Sequence, residues 1–599
     1  MRGVTRTRGG LRRAMGILLS SSILAAHPAA AWDFQNGDWS GGVRATVTAG
    51  TAVRTSDRKA TLTPPGDGAL LGFSASAPGG VNTDDGNMNY GKGDVVSTVT
   101  KAVVDVDLNH ASGYGVFLRG KSWHDYTQMG QSVPLGNIPN GYDGGPLSDN
   151  GFPRGSRFSG VLLADAYVKG KTEVGGVPLT FRLGQQVIDW GPTFTIGSGL
   201  RDMNPRDYAA MSRPGALTDE SWVPVVAAWL KADITPAATL EGFYQFLWRP
   251  SVTPGCGTFA ATADYATQGC DKVFMTSSLS GPLQLATGRY GKRAEDIEAR
   301  NGGQFGVGAT YTIKELGSRI GAYYTNTHAH YPLAGSYKTL RTGTILIPGD
   351  PGTLNPRYVL EYPEDIHTAS LALGTQIPQM GLKLAAEIDH KFNQPVQLNP
   401  VDLLAAFMAG SGMLAGDAAA TAPGAHYRGY DRFRITQAQL AGSKEMGTTL
   451  GGTLTLGAET GFRYIHDLPD VNVRRYGRWD TFGQGPVNGT CPAGTSPKAC
   501  TTDGFLTSFS WGYRLSANVA YTDVLPGLNL KPSIAFIHDV SGWSYDQVFN
   551  EGRKAVRLGL DGTYGERFFF NLAYQNTLAW TYDPRGDRDQ AVLSVGMKL

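Results

Sequence analysis

Apolar side chains in this chain recur at every second position, up to its final residue. Between Ala591 and Leu599, Leu593, Val595, Met597 and Leu599 share one parity, and Ser594, Gly596 and Lys598 share the other. Successive side chains on a strand point to opposite faces, so this segment is apolar on one side and polar on the other. Taken alone, it fits an edge strand of a soluble sandwich. It also fits the last strand of an outer-membrane barrel, which pairs back to the first strand and leaves no unpaired backbone in lipid.

The rest of the chain favours the barrel. Val43, Ala45, Val47, Ala49 and Val53 alternate in 42–54, and Ala102, Val104, Val106 and Leu108 in 101–108. Further segments follow at 114–126, 157–172, 178–189, 222–234 and 238–248. Phe305, Val307, Ala309, Tyr311 and Ile313 mark the next, then come 319–328, 366–377 and 381–391. The series closes with 433–447, 451–466, 511–521, 528–538, 554–564, 568–578 and 589–599. Short and long connections alternate between them throughout. A sandwich has no reason to sort its loops in this way, whereas a barrel has short periplasmic turns and long external loops. Tyr464, Tyr521, Tyr564 and Tyr574, near strand ends, suit interfacial girdles. The expected fold is therefore all-β: a transmembrane antiparallel barrel of about 18 strands.

Composition is consistent with this. Gly is 80 of 599 residues, charged residues are 17%, and the formal charge of +2 gives no electrostatic pull toward nucleic acid. Mean hydropathy is −0.20, because barrel strands place an apolar residue only at alternate positions. Arg2, Arg6, Arg8, Arg12 and Arg13, the apolar run from Ala14 to Ala26 and the small residues Ala29–Ala31 read as a secretory signal, 1–31. The barrel domain then covers 32–599. Cys256, Cys270, Cys491 and Cys500 allow three pairings, and sequence proximity favours Cys256–Cys270 and Cys491–Cys500. A metal site on these cysteines lacks the paired C-x-x-C spacing.

Eighteen strands enclose more space than side chains alone can fill. Arg119, Lys121, Lys383, Glu387, Asp389, Arg463, Arg514, Arg557 and Asp561 share the lumen parity and imply a wet interior. The third long loop, Trp190 to Ser221, is the foremost candidate for a pore constriction. It carries Gly191, Gly197 and Gly199 together with Arg201, Asp202, Asn204, Arg206, Asp207 and Arg213. Inward-folding loops and their ring of charge set selectivity in channels. A loop that only caps the barrel is the competing reading. The second candidate is Gln394 to Gly429, where Asn399 and Pro400 open a short helix with Leu403, Leu404, Phe407, Met408 and Leu414 on an apolar face. Such a helix could plug the lumen, touch lipid, meet an apolar substrate, or pack on neighbouring loops. The G-x-S-x-G and H-E-x-x-H motifs are absent. Asp84-Asp85, His328 with His330, and Glu364-Asp365 are the nearest approaches to a reactive cluster, and solvated loop polarity explains them better. The chain is expected to be no enzyme and to need no cofactor.

Several stretches resemble the outer-membrane barrel proteins grouped as DUF1302: NTDDGNMNYGKGDVVS (82–97), RLGQQVIDWGPTF (182–194), MNPRDY (203–208), GFYQFLW (242–248), PGCGTF (254–259), LEYPEDI (360–366), HKFNQPVQLNPVDLL (390–404), ITQAQL (435–440), IAFIHDVSGWS (534–544) and EGRKAVRLGLD (551–561). They keep their order over nearly the whole mature chain. The family usually has a basic residue at the place of Gln185 and an acidic one at the place of Pro192. It often ends in an aromatic residue where this chain has Leu599. The resemblance implies the bacterial outer membrane and contact with its lipid. It also implies the company of a periplasmic-side lipoprotein and a resistance-nodulation-division type inner-membrane transporter. On that basis the leading expectation is a transport barrel for hydrophobic or amphipathic, lipid-like solutes. The first alternative is a substrate-selective porin for small polar or anionic solutes. The second is a closed structural or surface-enzyme barrel.

Overall fold

The backbone amides of Thr46 to Arg54 lie in register with Lys598 to Gln590, so the first long strand and the last are neighbours. The structure, a computed structural model, describes residues 32–197, 199–350, 354–491 and 499–599. The expected signal segment, 1–31, lies outside the described residues.

The wall is built from β1 (Trp39–Arg54), β2 (Val95–His110), β3 (Tyr114–Asp125), β4 (Ser159–Val174), β5 (Val177–Gln186), β6 (Val225–Asp233), β7 (Ala238–Gln245), β8 (Gln304–Ile313) and β9 (Ser318–Thr327). It continues through β10 (Ile366–Ile377), β11 (Leu382–Gln397), β12 (Tyr430–Thr449), β13 (Gly452–Ile465), β14 (Phe509–Leu525), β15 (Leu528–Ser541), β16 (Lys554–Tyr564), β17 (Phe568–Ala579) and β18 (Gln590–Lys598). Each strand pairs antiparallel with the next, and β18 closes on β1, so the barrel has 18 strands and no free edge.

The alternation follows directly from this geometry. On β8, Val307 (56% exposed) and Tyr311 look outward, while Gly306, Gly308 and Thr310 are buried inside. Leu384 on β11 and Leu593 and Val595 on β18 look outward in the same way, whereas Glu387 and Ser594 look in. Tyr464 and Tyr564 stand exposed near strand ends, while Tyr521 and Tyr574 are half-buried. Among the described residues no helix is long and apolar enough to cross a membrane, so the spanning elements are strands.

One element was not expected from the sequence. Trp32–Asn36 forms a short strand that turns at Gly37 and pairs with Trp39 to Val43 of β1. It occupies the part of the β1 edge that β18 is too short to reach. Between the two, Ala45 and Leu599 exchange backbone hydrogen bonds of 2.7 and 2.9 Å. The seam is therefore sealed by both ends of the described chain.

At the end opposite the tight turns, the segments 55–94, 126–158, 246–303, 328–365, 398–429 and 466–508 fold into a cap with its own cores. Met88, Tyr90, Leu135, Phe152, Phe158 and Phe274 pack together with Cys256 and Cys270. A five-stranded sheet joins Lys272–Phe274, Tyr290–Arg293, Leu333–Tyr337, Arg357–Glu361 and His426–Tyr427 from three of these segments. Both expected disulfides, Cys256–Cys270 and Cys491–Cys500, are formed, each within one segment.

Candidate functional site: an inward loop and the lumen beneath it

The segment 187–224, between β5 and β6, turns into the barrel and is held there by wall side chains. Glu459 on β13 accepts the Thr195 amide and hydroxyl, both at 2.8 Å, and the Ile196 amide at 2.5 Å. Glu387 on β11 accepts the Leu200 amide at 3.0 Å, and Arg463 on β13 donates to the Gly197 carbonyl at 3.0 Å. These anchors stand nearly halfway round the wall from β5. On the near side, Lys101 of β2 pairs with Glu220, Lys121 of β3 with Asp207, and Arg119 of β3 with Asp219. Pro214 and Gly215 lie against Gly50 and Ser594 at the seam. The loop therefore crosses the lumen.

Backbone requirements explain why this segment can make that crossing. Gly199 has φ +100 and sits where a Cβ would collide with the Glu387 carboxylate, so only glycine gives both the turn and the close approach. Leu200–Met203 forms a single tight turn whose apolar side chains join Ile188, Trp190, Val225, Ala227 and Phe243. Trp190 donates its indole N–H to Glu241 at 2.8 Å. The short helix Tyr208–Ser212 is capped by Asp207, which accepts the Ala210 amide at 2.8 Å.

The six constriction candidates divide into two groups. Asn204, Asp207 and Arg213 are buried fasteners. Asn204 accepts the Ile188 amide at 2.9 Å and donates to its carbonyl at 2.8 Å. Arg213 lies 4.1 Å from the Trp123 ring centre and donates to the carbonyls of Gly155 and Arg157. Burial pushes its pKa down. Arg201, Asp202 and Arg206 are partly exposed: Arg201 pairs with Asp189, Asp202 with Lys391, and Arg206 lies over Trp222 at 4.5 Å. The structure does not bring Arg201, Arg206 and Arg213 together into one ring.

The helix of the second candidate segment forms at Pro400–Ala409, capped by Asn399, which accepts the Asp402 amide at 2.9 Å. Its apolar face is covered. Leu403, Phe407 and Leu414 pack with Val396, Leu398, Ile435, Ile465 and Tyr476, while Leu404 and Met408 join Val273, Tyr358 and Leu360. Asp402 pairs with the buried Arg475, which fastens the helix to segment 466–508. Of the remaining polar clusters, Glu364 and Asp365 both bind Arg300. His328 accepts the Asp365 amide at 3.0 Å, and His330 faces the Met203 carbonyl at 3.1 Å.

Below the inward loop is a cavity of about 1510 Å³. It reaches from Thr193, Thr195 and Ile196 down to the turn residues Lys314–Gly317 and Ile377–Gln379, and up to Gln547, Val548, Asp583 and Arg585. Its lining mixes apolar and polar side chains, and the charged ones are mostly cationic: Lys314, Arg319, Lys383, Arg514, Arg553, Arg557 and Arg585 against Glu315, Glu459 and Asp583. Glu459 is occupied by the loop amides, and Asp583 is bound by Arg585. Arg557 donates to the Gln575 amide oxygen rather than to a carboxylate. Arg319 pairs with Glu241, Arg514 and Arg553 with Asp539, and Arg585 with Asp583, which leaves Lys314, Lys383 and Arg557, among the described residues, as the cavity's uncompensated positive charge. Lys383, Arg514 and Arg557 carry the lumen parity in sequence. Arg553 and Arg585 sit in loops, where no alternation marks the direction in which they point.

These features define a class: a closed antiparallel β-barrel whose lumen is crossed by one of its own loops above a cationic cavity. The chain belongs to the family described as "Protein of unknown function (DUF1302)", whose model matches residues 12–599. Similar solved structures include OccAB1 of Acinetobacter baumannii, at 10% identity over 93% of this chain and 96% of that one, with a TM-score of 0.39. OccK9 (OpdG) of Pseudomonas aeruginosa is 11% identical over 93% and 97%, at 0.40. A BenF-like porin from Pseudomonas fluorescens Pf-5 is 9% identical over 93% and 98%, at 0.40. No curated protein matches the chain.

Proposed function

We propose that this protein is a substrate-selective outer-membrane porin for small organic anions, gated by the loop 187–224. The lining of the lumen cavity carries the reading: it holds seven cationic side chains and three acidic ones, and Lys314, Lys383 and Arg557 remain after Arg319, Arg514, Arg553 and Arg585 pair with carboxylates. Guanidinium groups bind carboxylate and phosphate oxygens through paired N–H donors, so arginines in the lining are suited to binding such anions. Charged linings of one sign also raise the local concentration of the opposite ion. An apolar belt and a closed edge suit the wall to a bilayer, and barrels of this kind belong to the bacterial outer membrane.

The lipid-like solute expected from the family resemblance finds less support. The side chains that would greet it, Phe407, Met408 and Leu414, are sealed in loop cores rather than lining an open pocket. The lipoprotein and inner-membrane transporter implied by the same resemblance remain proposed companions, to be sought by co-purification. Liposome swelling with matched solutes tests the main reading. Small carboxylates should enter faster than neutral sugars of equal size. Equal rates, or uptake of neither, would contradict it.

A further inference from the structure

In the loops of the cap, three buried carboxylates face one another and are only partly satisfied. Asp84 and Asp85 come from segment 55–94 and Asp264 from segment 246–303. Their carboxylate oxygens lie within 4.8 Å of one another, and each residue is only 2% exposed. Asp85 accepts the Tyr142 hydroxyl at 2.8 Å, and one oxygen of Asp264 accepts the Asp85 amide at 3.2 Å. Both oxygens of Asp84 and the second oxygen of Asp264 have no hydrogen-bond partner. Arg588 is nearby but is committed elsewhere, its guanidinium donating to the carbonyls of Phe259, Ala261 and Thr83.

Burying a carboxylate without donors is strongly unfavourable, and burying three that face one another is more so. A bound cation removes both costs. The donors are all oxygen, which selects a hard ion. Three protein carboxylates suit calcium, which takes roughly six to eight oxygen ligands, better than magnesium, which keeps several waters and uses one or two carboxylates.

We propose that Asp84, Asp85 and Asp264 form a structural calcium site that clamps segment 55–94 to segment 246–303. The Cys256–Cys270 disulfide lies directly against Asp85 and holds the second segment in place beside the ion. The clamp and the disulfide together pin the cap over the barrel mouth.

The test uses full-length barrel in detergent, stripped with chelator and then given calcium alone in equilibrium dialysis. One calcium should bind per chain, and magnesium alone should bind about tenfold more weakly or worse. Terbium should bind in the same place and emit when tyrosine is excited, because Tyr142 touches Asp85. Asp84→Asn and Asp264→Asn should each weaken calcium by about tenfold or more. If either variant fails to fold, the wild type still decides, since calcium should slow protease cleavage within 55–94 relative to chelator. A wild type that binds no calcium, binds magnesium equally well or gains no protection would overturn the proposal. So would a folded Asp84→Asn that binds calcium as tightly as the wild type.

Discussion

Glu459 holds the tip of the inward loop at Thr195 and Ile196. One carboxylate takes two amides and a hydroxyl from Thr195 and Ile196, an arrangement only an ionised acceptor serves well. Glu459→Ala should release this tip of the loop. Hydrogen bonds to a charged group contribute about 1.5–3 kcal/mol each, so the anchor is lost while the wall remains. The expected outcome is larger and noisier single-channel conductance with normal barrel yield. Conductance indistinguishable from the wild type would show that the loop is held without Glu459. Arg213→Gln should behave differently: its guanidinium is buried on Trp123 and two carbonyls, so the variant should lose loop stability rather than ion preference. At this scale the sequence was only half legible. Parity placed Glu387 and Arg463 inside the barrel, and Glu459 shares the parity of Arg463 on the same strand. It could not say that they bind backbone groups of a loop more than a hundred residues away in the chain. Nor could it sort Arg213 from Arg201, because both are arginines in one glycine-rich loop and only tertiary packing separates them.

At the scale of elements, the strands were the most legible feature, because lipid outside and side chains inside impose a period of two on every one of them. The strand missed was Trp32–Asn36. Its signal was present in Gly37-Asp38, the two residues between the paired Asn36 and Trp39, with glycine at the first central position of a tight hairpin turn. The more strongly apolar alternation that follows the strand masks that signal. Its physical role is to cover an edge, since β18 reaches only as far as Ala45 on β1 and the residues before it would otherwise offer unpaired backbone. Deleting Asp33–Gly37 should therefore lower the temperature at which the barrel unfolds in a heat-shift gel assay. An unchanged unfolding temperature would show that β1 needs no cover there. The apolar helix at Pro400–Ala409 teaches the reverse lesson. Its cap and its face were legible, but the partner for that face was not, because Tyr476, Ile465 and Tyr358 come from three other parts of the chain.

For the whole molecule, closure, the inward loop and the cationic cavity form one arrangement. The barrel supplies a wide lumen, segment 187–224 crosses it, and the space left beneath is lined by Lys383, Arg514, Arg557 and their neighbours. The central claim is that this charge selects what passes. The most direct check is the reversal potential of the purified barrel in a planar bilayer under a potassium chloride gradient. The wild type should show anion preference, and replacing Lys383, Arg514 and Arg557 together by Gln should move the reversal potential toward cations. A wild type that prefers cations, or a folded triple variant with an unmoved potential, would contradict the account.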